Sequence, residues 1–137
     1  MNQEINTSES NMPTAVSVLV VDDDEITQEL LAEMLSMMGF KVLHNAKDGR
    51  TALKVLADLQ SPPKFLICDI FMPNMDAFEF LDQLVMQQYS GGIVLMTGVD
   101  PEMMMVARTI AVARGLQILG TILKPVSIEQ LTSVLQL

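Results

Sequence analysis

Short apolar runs alternate with segments of helical periodicity along most of this chain. The apolar runs have the length and composition of strands that are buried on both faces of a parallel sheet. Strands are predicted over residues 16–21, 41–44, 65–68, 93–96 and 117–121. Helical patterns separate them, and this order is typical of βα units that wind into one parallel sheet.

A helix is predicted after each strand. The first spans about 25–38, where apolar residues recur at intervals of three and four and Gly39 ends the pattern: Ile26, Leu30, Leu31, Met34, Leu35 and Met38. The second begins at the turn Asp48-Gly49 and ends before Ser61. The sequence thus predicts an α/β protein, with a doubly wound parallel sheet of five strands and five helices.

The last three helices have recognisable start signals or inner faces. The third follows a loop over 70–76, and its inner face carries Phe78, Leu81, Leu84 and Val85. Asp100 is placed to cap the fourth, with Pro101 at its first position and Gly115 after its end. Ser127 caps the fifth, which extends to about Leu135.

Composition narrows the class of protein. Residues 1–14 are polar and predict a flexible lead-in, while 15–137 suit one domain. A net charge of -9 without a basic cluster argues against direct nucleic-acid binding. No run approaches the ~20 apolar residues of a membrane span, and no leader is evident. A lone cysteine, Cys68, suits a reducing compartment, so we expect a cytoplasmic protein.

Charged and polar residues stand where the predicted strands end. Asp22 and Asp23 follow the first strand, Asp69 follows the third, Thr97 follows the fourth, and Lys124 follows the fifth. In an open doubly wound sheet, ligands collect at these carboxyl ends. Crowded carboxylates repel one another, and a hard divalent cation, above all Mg²⁺, relieves that repulsion. A carboxylate can also attack phosphorus, so we expect a magnesium-dependent phosphoryl site with Asp69 as acceptor.

Four motifs in order resemble the receiver domain of two-component response regulators. They are residues 19–23 (LVVDD), 69–76 (DIFMPNMD), 96–97 (MT) and 123–125 (LKP). The resemblance covers about residues 16–135 and implies a flavodoxin-like sheet with strand order 2-1-3-4-5. It also implies phosphorylation by a sensor histidine kinase, a phosphotransfer protein or a small phosphodonor, and a switch that acts on an output domain or partner protein.

The resemblance assigns a role to each site residue. Asp69 accepts the phosphoryl group, Lys124 pairs with the aspartyl phosphate, and Thr97 hydrogen-bonds to it. Asp23, Asp69 and the backbone carbonyl of Phe71 bind Mg²⁺ directly, with Asp22 acting through water. Such a domain catalyses its own phosphoryl transfer and dephosphorylation but is not an enzyme that turns over a metabolite.

A narrower resemblance involves residues 115–125 (GLQILGTILKP) and the long segment between Thr97 and Lys124. These features are similar to receivers that precede cyclic-di-GMP phosphodiesterase domains. They imply control of such a phosphodiesterase, either on the same chain or on a partner.

Three positions are unusual for the receiver pattern. Thr121 stands where the family usually has an aromatic residue whose rotamer reports phosphorylation. Phe71 and Val99 are apolar at positions that influence attack of water on the acyl phosphate, so we expect slow loss of phosphate.

Three consecutive methionines, 103–105, cannot all face inward on a helix. An exposed patch there suits a homodimer or partner surface on helix 4, strand 5 and helix 5, and ordinary exposed methionines explain it equally well.

Two rival functions stay open on the sequence alone. The first is a phosphorylation-independent protein-interaction module with a receiver fold locked in one state, for which Thr121 is the motivating residue. The second is a hydrolase of the haloacid dehalogenase type, which also uses an aspartyl phosphate and Mg²⁺. Those enzymes have a second aspartate two residues after the nucleophile, where this chain has Phe71, and that disfavours the hydrolase.

Overall fold

A computed structural model describes residues 16–136, so the predicted lead-in over 1–14 lies outside the described residues. A single parallel sheet of five strands, in the order β2-β1-β3-β4-β5, forms the centre of the described chain. Every pair of neighbouring strands is parallel. The strands are β1 (Ser17–Val21), β2 (Val42–Ala46), β3 (Phe65–Asp69), β4 (Gly92–Thr97) and β5 (Gln117–Leu123). The predicted fold class and the strand order implied by the receiver resemblance are confirmed.

Five helices alternate with these strands in the described residues. They are α1 (Glu25–Met37), α2 (Gly49–Asp58), α3 (Ala77–Met86), α4 (Pro101–Ala113) and α5 (Ile128–Leu135). Asp100 and Ser127 cap α4 and α5 as predicted, with their side chains accepting from the Met103 and Gln130 N–H groups. Gly39 and Gly115 follow helix ends with φ angles of 104° and 93°, which glycine adopts without strain.

Each face of the sheet carries its own apolar core. Alternate residues of β1 point to opposite faces, so Leu19 and Val21 belong to one core while Val18 and Val20 belong to the other. Side chains of α2, α3 and α4 cover the first face, and side chains of α1 and α5 cover the second. This double covering explains why β1, β3 and β4 are buried along their whole length.

The structure adjusts several predicted details. β2 begins and ends later than residues 41–44, and β5 continues past residue 121 to Leu123. In α3 the fully buried aromatic residue is Phe80, whereas Phe78 only packs against the core from its edge. In α1, Leu31 and Leu35 are fully buried while Ile26 is 74% exposed, because the buried face is narrower than the apolar pattern suggested.

None of the helices described over residues 16–136 has the length and apolar character that crossing a membrane requires.

Candidate functional site

Three carboxylates converge at the carboxyl end of the sheet. Asp22 follows β1 directly, and Asp69 is the last residue of β3. β1 and β3 are neighbours with Val21 opposite Cys68, so Asp22 and Asp69 lie at the same level of the sheet. One carboxylate oxygen each from Asp22, Asp23 and Asp69 lies within 4.8 Å of the others. The acidic group predicted from the strand ends is therefore a real cluster.

The loop after β1 holds the acidic doublet in a tight turn. The Asp24 N–H donates to Asp22 Oδ1 at 2.8 Å, while the Asp24 side chain caps α1 and accepts from Thr27 Oγ1 at 2.8 Å. The bond from the Thr27 hydroxyl, helped by the Ile26 N–H, lowers the pKa of Asp24 below its usual value. Asp24 thus serves the helix terminus, and Asp22 and Asp23 are left to face the cluster.

Lys124 lies between two of the carboxylates. Its Nζ is 2.6 Å from Asp69 Oδ2 and 2.7 Å from Asp22 Oδ2. The Lys124 backbone N–H donates to the Thr97 carbonyl at 2.8 Å, which fixes the end of β5 beside the end of β4. A lysine 55 positions away in the chain from Asp69 is thereby brought into contact with it.

Asp22 Oδ2 has acceptor capacity that the described part of the protein does not fill. Asp22 Oδ2 is buried and has no hydrogen-bond partner in the described structure, although the Lys124 ammonium is close to it. The ammonium, 2.7 Å away, attracts this oxygen by its charge, and a carboxylate oxygen has two acceptor positions. One buried carboxylate oxygen therefore still has a free acceptor site. A divalent cation or its bound water fits such an atom.

Burial and charge act in opposite directions on these groups. Burial is the largest influence on Asp22 and raises its pKa, although the Lys124 ammonium and the Asp24 N–H partly oppose that rise. For Lys124, burial alone would lower the pKa, but the Asp22 and Asp69 carboxylates together outweigh it and raise the pKa above its usual value. Lys124 is consequently a fixed positive charge at neutral pH.

Thr97 is completely buried at the end of β4, next to Asp69 of β3. Its hydroxyl oxygen accepts from the N–H groups of Val99 and Asp100, each at 3.2 Å. A hydroxyl oxygen has two acceptor positions and one proton. Because both acceptor positions are engaged, any further partner must receive the Thr97 proton, which suits a role as donor to an anion.

The loop after β3 brings Phe71 beside the acceptor carboxylate. The Phe71 N–H donates to Asp69 Oδ1 at 2.8 Å, so both oxygens of Asp69 have partners. Phe71 is 45% exposed and Val99 is 75% exposed. Asn74, with φ of 71°, donates to Asp48 Oδ2 at 2.9 Å instead of facing the carboxylates. It is a turn residue here.

One contributor to this region was not identified from sequence. Gln28 of α1 donates its side-chain amide to the carbonyl oxygens of Asp22 and Ala46, each at 2.9 Å, and to that of Val20 at 3.3 Å. A usable signal existed, because Gln28 lies three residues before the buried Leu31 and therefore on the inner face of α1.

The methionine triplet of α4 is divided as the helix geometry requires. Met104 is buried, whereas Met103 and Met105 are 39% and 46% exposed. The prediction that one or two of the three would be exposed is confirmed.

Comparison with known proteins places most of the chain in one family. Residues 18–136 match the model of the response regulator receiver domain family. The two-component response regulator ARR10 of Arabidopsis thaliana is 30% identical over 136 residues, which cover 99% of this chain and 23% of that protein. The chain spans between 18% and 50% of the length of the first curated relatives it matches.

Solved structures match over most of the described chain. A response regulator from Colwellia psychrerythraea has a TM-score of 0.73 and 29% identity, covering 89% of this chain and 94% of that one. The signal receiver domain of an HD domain-containing protein from Pseudomonas fluorescens Pf-5 has a TM-score of 0.75 and 25% identity, with coverages of 88% and 91%.

Proposed function

The chain belongs to the response regulator receiver domain family, and from that membership we propose that Asp69 is the phosphoacceptor of a two-component signalling pathway. Receiver domains are in general signalling modules rather than enzymes. They interact with histidine kinases or phosphotransfer proteins and with output domains. The role requires an acceptor, positive charge beside it and a donor to the phosphoryl group, and this chain has a candidate for each.

The position of Lys124 is the observation on which the proposal mainly depends. Its ammonium lies within 2.7 Å of carboxylate oxygens of Asp69 and Asp22. A transferring phosphoryl group carries negative charge on its oxygens, so catalysis needs positive charge that is already aimed at the acceptor. Lys124 is placed to leave the Asp69 carboxylate for a phosphoryl oxygen with a small displacement.

The carboxylates of Asp22, Asp23 and Asp69 suit a hard divalent cation, and the free acceptor position on Asp22 Oδ2 favours it. We assign Asp23, Asp69 and the Phe71 carbonyl as direct ligands of Mg²⁺, with Asp22 acting through water. When bound, Mg²⁺ supplies positive charge that neutralises phosphoryl oxygens during transfer.

The transfer step needs a nucleophile and a donor to the phosphoryl group. A carboxylate oxygen of Asp69 attacks phosphorus and forms the new P–O bond. The bond from phosphorus to the donor, a histidine nitrogen of a kinase or the acyl oxygen of acetyl phosphate, breaks, and the donor keeps that electron pair. The Thr97 O–H donates a hydrogen bond to one phosphoryl oxygen and keeps its proton, and the Lys124 ammonium pairs with another.

The phosphorylated site would act on a distal surface by shifting a conformational equilibrium. Exposed apolar side chains on α4, namely Met103, Met105, Val106 and Ile110, support a protein-facing surface there. We assign this surface, with β5 and α5, to a homodimer or to an output partner in the cytoplasm. A cyclic-di-GMP phosphodiesterase is the output that residues 115–125 favour.

The main alternative is a phosphorylation-independent interaction module. The half-buried Thr121 on β5 favours it, because the aromatic side chain that reports phosphorylation in the family is missing at that position. The retained carboxylates and lysine favour the phosphorylated switch instead, since a locked module would not need them.

Phosphorylation by a small donor separates these functions. The protein is incubated with Mg²⁺ and acetyl phosphate, and its intact mass is measured. We expect a gain of one phosphoryl group, lost in Asp69→Asn and retained in the matched control Asp58→Asn on the exposed end of α2. An unmodified wild-type mass would favour the locked module. Steady consumption of acetyl phosphate by many equivalents would favour a hydrolase.

A further inference from the structure

The side chain of Gln28 faces a convergence of three main-chain carbonyls. Val20 and Asp22 supply two of them from the end of β1, and Ala46 supplies the third from the end of β2. Ala46 O also accepts the Asp22 N–H at 3.0 Å. Gln28 therefore joins α1 to the adjoining ends of two strands at the point where the acidic doublet leaves the sheet.

Few side chains can occupy this position. Three carbonyl oxygens present only acceptors, and the primary amide of glutamine offers two N–H donors on a neutral group. The two contacts of 2.9 Å, with Asp22 and Ala46, are full hydrogen bonds. The amide has only two N–H groups, so the 3.3 Å contact with Val20 shares an N–H group with one of these bonds. A carboxylate here would face only acceptors, and an apolar side chain would leave the carbonyls to water.

The bond to the Asp22 carbonyl bears directly on the carboxylates. That carbonyl belongs to the peptide plane that joins Asp22 to Asp23, so holding it limits rotation on both sides of the doublet. The Asp22 N–H is held by Ala46, and the Asp24 N–H is held by Asp22 Oδ1. Gln28 thus adds a hydrogen bond to the main chain of this turn from a side chain that lies outside it.

We propose that Gln28 is a positioning residue for the acidic doublet, which it holds in the orientation that binds a divalent cation. This inference rests on the proposed function, because the proposed function assigns Mg²⁺ to the cluster of Asp22, Asp23 and Asp69. Groups that orient metal ligands without touching the metal typically change metal affinity 10- to 100-fold when mutated. We expect the lower end of that range here.

Solvent access explains why the effect falls on affinity rather than on folding. Gln28 is half-buried and borders an open cleft of about 210 Å³ that also contains Asp23, Glu25 and Lys47. Water can therefore replace the amide at the carbonyls when the side chain is changed, and the sheet keeps its hydrogen bonds. Water does not restore the fixed orientation of the Asp22–Asp23 peptide.

The test is a Mg²⁺ titration of Gln28→Met, which keeps the length of the side chain and removes its donors. Mg²⁺ alone is added, and the amide signals of Asp22 and Asp23 are followed by NMR. We expect the dissociation constant for Mg²⁺ to rise about tenfold. The Mg²⁺ concentration for half-maximal phosphorylation by acetyl phosphate should rise equally, while the rate at saturating Mg²⁺ stays within about twofold of wild type.

The control is Gln87→Met, the same substitution on an exposed residue at the far end of α3. It should change neither quantity. An unchanged Mg²⁺ dissociation constant in folded Gln28→Met overturns the proposal, as does a loss of rate that saturating Mg²⁺ does not restore. If the wild type itself binds no Mg²⁺, both the role of Gln28 and the proposed function fail. That result differs from normal Mg²⁺ binding by Gln28→Met, which overturns only the role of Gln28.

A measurement on the wild type needs no folded variant. The side-chain amide protons of Gln28 should exchange with solvent at least about tenfold more slowly than those of the exposed Gln87, because they are held by carbonyls. Equal exchange rates would overturn the proposal even if Gln28→Met failed to fold.

Discussion

Replacing Lys124 by methionine tests the electrostatic balance of the site in the absence of any phosphodonor. Methionine keeps most of the aliphatic length and removes the ammonium. Asp22 and Asp69 then remain as two buried carboxylates, with side chains 0% and 8% exposed, and lose their shared cation. We expect a clear loss of stability, because an uncompensated buried charge is costly.

The magnitude can be worked from the two contacts. At separations of 2.6 and 2.7 Å, each attraction is roughly 6 kcal/mol with an effective dielectric constant of about 20, before any cost of desolvation. Breaking a buried pair typically costs about 3–5 kcal/mol net. Lys124 is 19% exposed, so water relieves part of the loss and we expect about 3 kcal/mol. For a domain of this size, that corresponds to a fall in Tm of roughly 10 °C.

Thermal unfolding of the two proteins at pH 7 without divalent cations measures this difference. Lys54→Met, on the exposed side of α2, is the matched control and should stay within about 0.5 kcal/mol of wild type. A fall in Tm of less than about 3 °C for Lys124→Met would mean that the ammonium contributes little to the folded state. Lys124 would then not be the charge that holds the two carboxylates together.

The pH dependence supplies a second check on the same pair of proteins. The pKa of Lys124 is raised in the folded state above its ordinary 10.5. A raised lysine pKa means that its contribution to stability is complete below the unfolded pKa and is lost as the pH rises through the folded pKa. The Tm difference between wild type and Lys124→Met should therefore hold from about pH 7 to 9 and shrink as the pH rises past 10.5 and through the raised pKa. A Tm difference that grew as the pH rose would contradict a raised pKa for Lys124.

Three further changes have expected outcomes. Phe71→Asn should shorten the lifetime of the aspartyl phosphate, followed by intact mass after removal of donor, because the half-exposed ring cannot orient water and an amide can; an unchanged lifetime would refute this. Asp48→Ala should cost about 1 kcal/mol in chemical denaturation by removing the cap of α2, whereas Asp58→Ala at the other end should not. Tyr89→Phe should cost about 1–2 kcal/mol because the buried Pro63 carbonyl loses its donor at 3.0 Å, and a neutral result would mean that water replaces it.

The local rules of helix and strand formation were readable directly from the residues. Asp100 and Ser127 were predicted as caps because their short polar side chains precede helical periodicity, and both cap helices. The apolar runs became buried strands, since only a sheet covered on both faces accommodates them. Element ends were less accurate, as β2 and β5 illustrate, because strand ends depend on the neighbouring strand.

Side-chain roles were predictable to the extent that strand ends determine them. Asp22, Asp23 and Asp69 were expected to converge, and they do. The burial of Leu31 and the exposure of Ile26 were not distinguished, because both belong to the same apolar pattern on α1. Which side of a helix is buried depends on the angle at which it packs on the sheet, and periodicity alone leaves that angle open.

Residue order and chemistry along the chain were enough to indicate a parallel α/β sheet with an acidic site at its carboxyl edge. The pairing of Lys124 with both Asp22 and Asp69 required the strand order, because it joins residues from three strands. The convergence of Gln28 on carbonyls of both β1 and β2 likewise exists only because these strands are neighbours in register. The sequence pattern of a helix or strand predicts which side chains that element carries on each face. Contacts between elements depend instead on the order and register of the strands, which decide which groups lie within hydrogen-bonding distance.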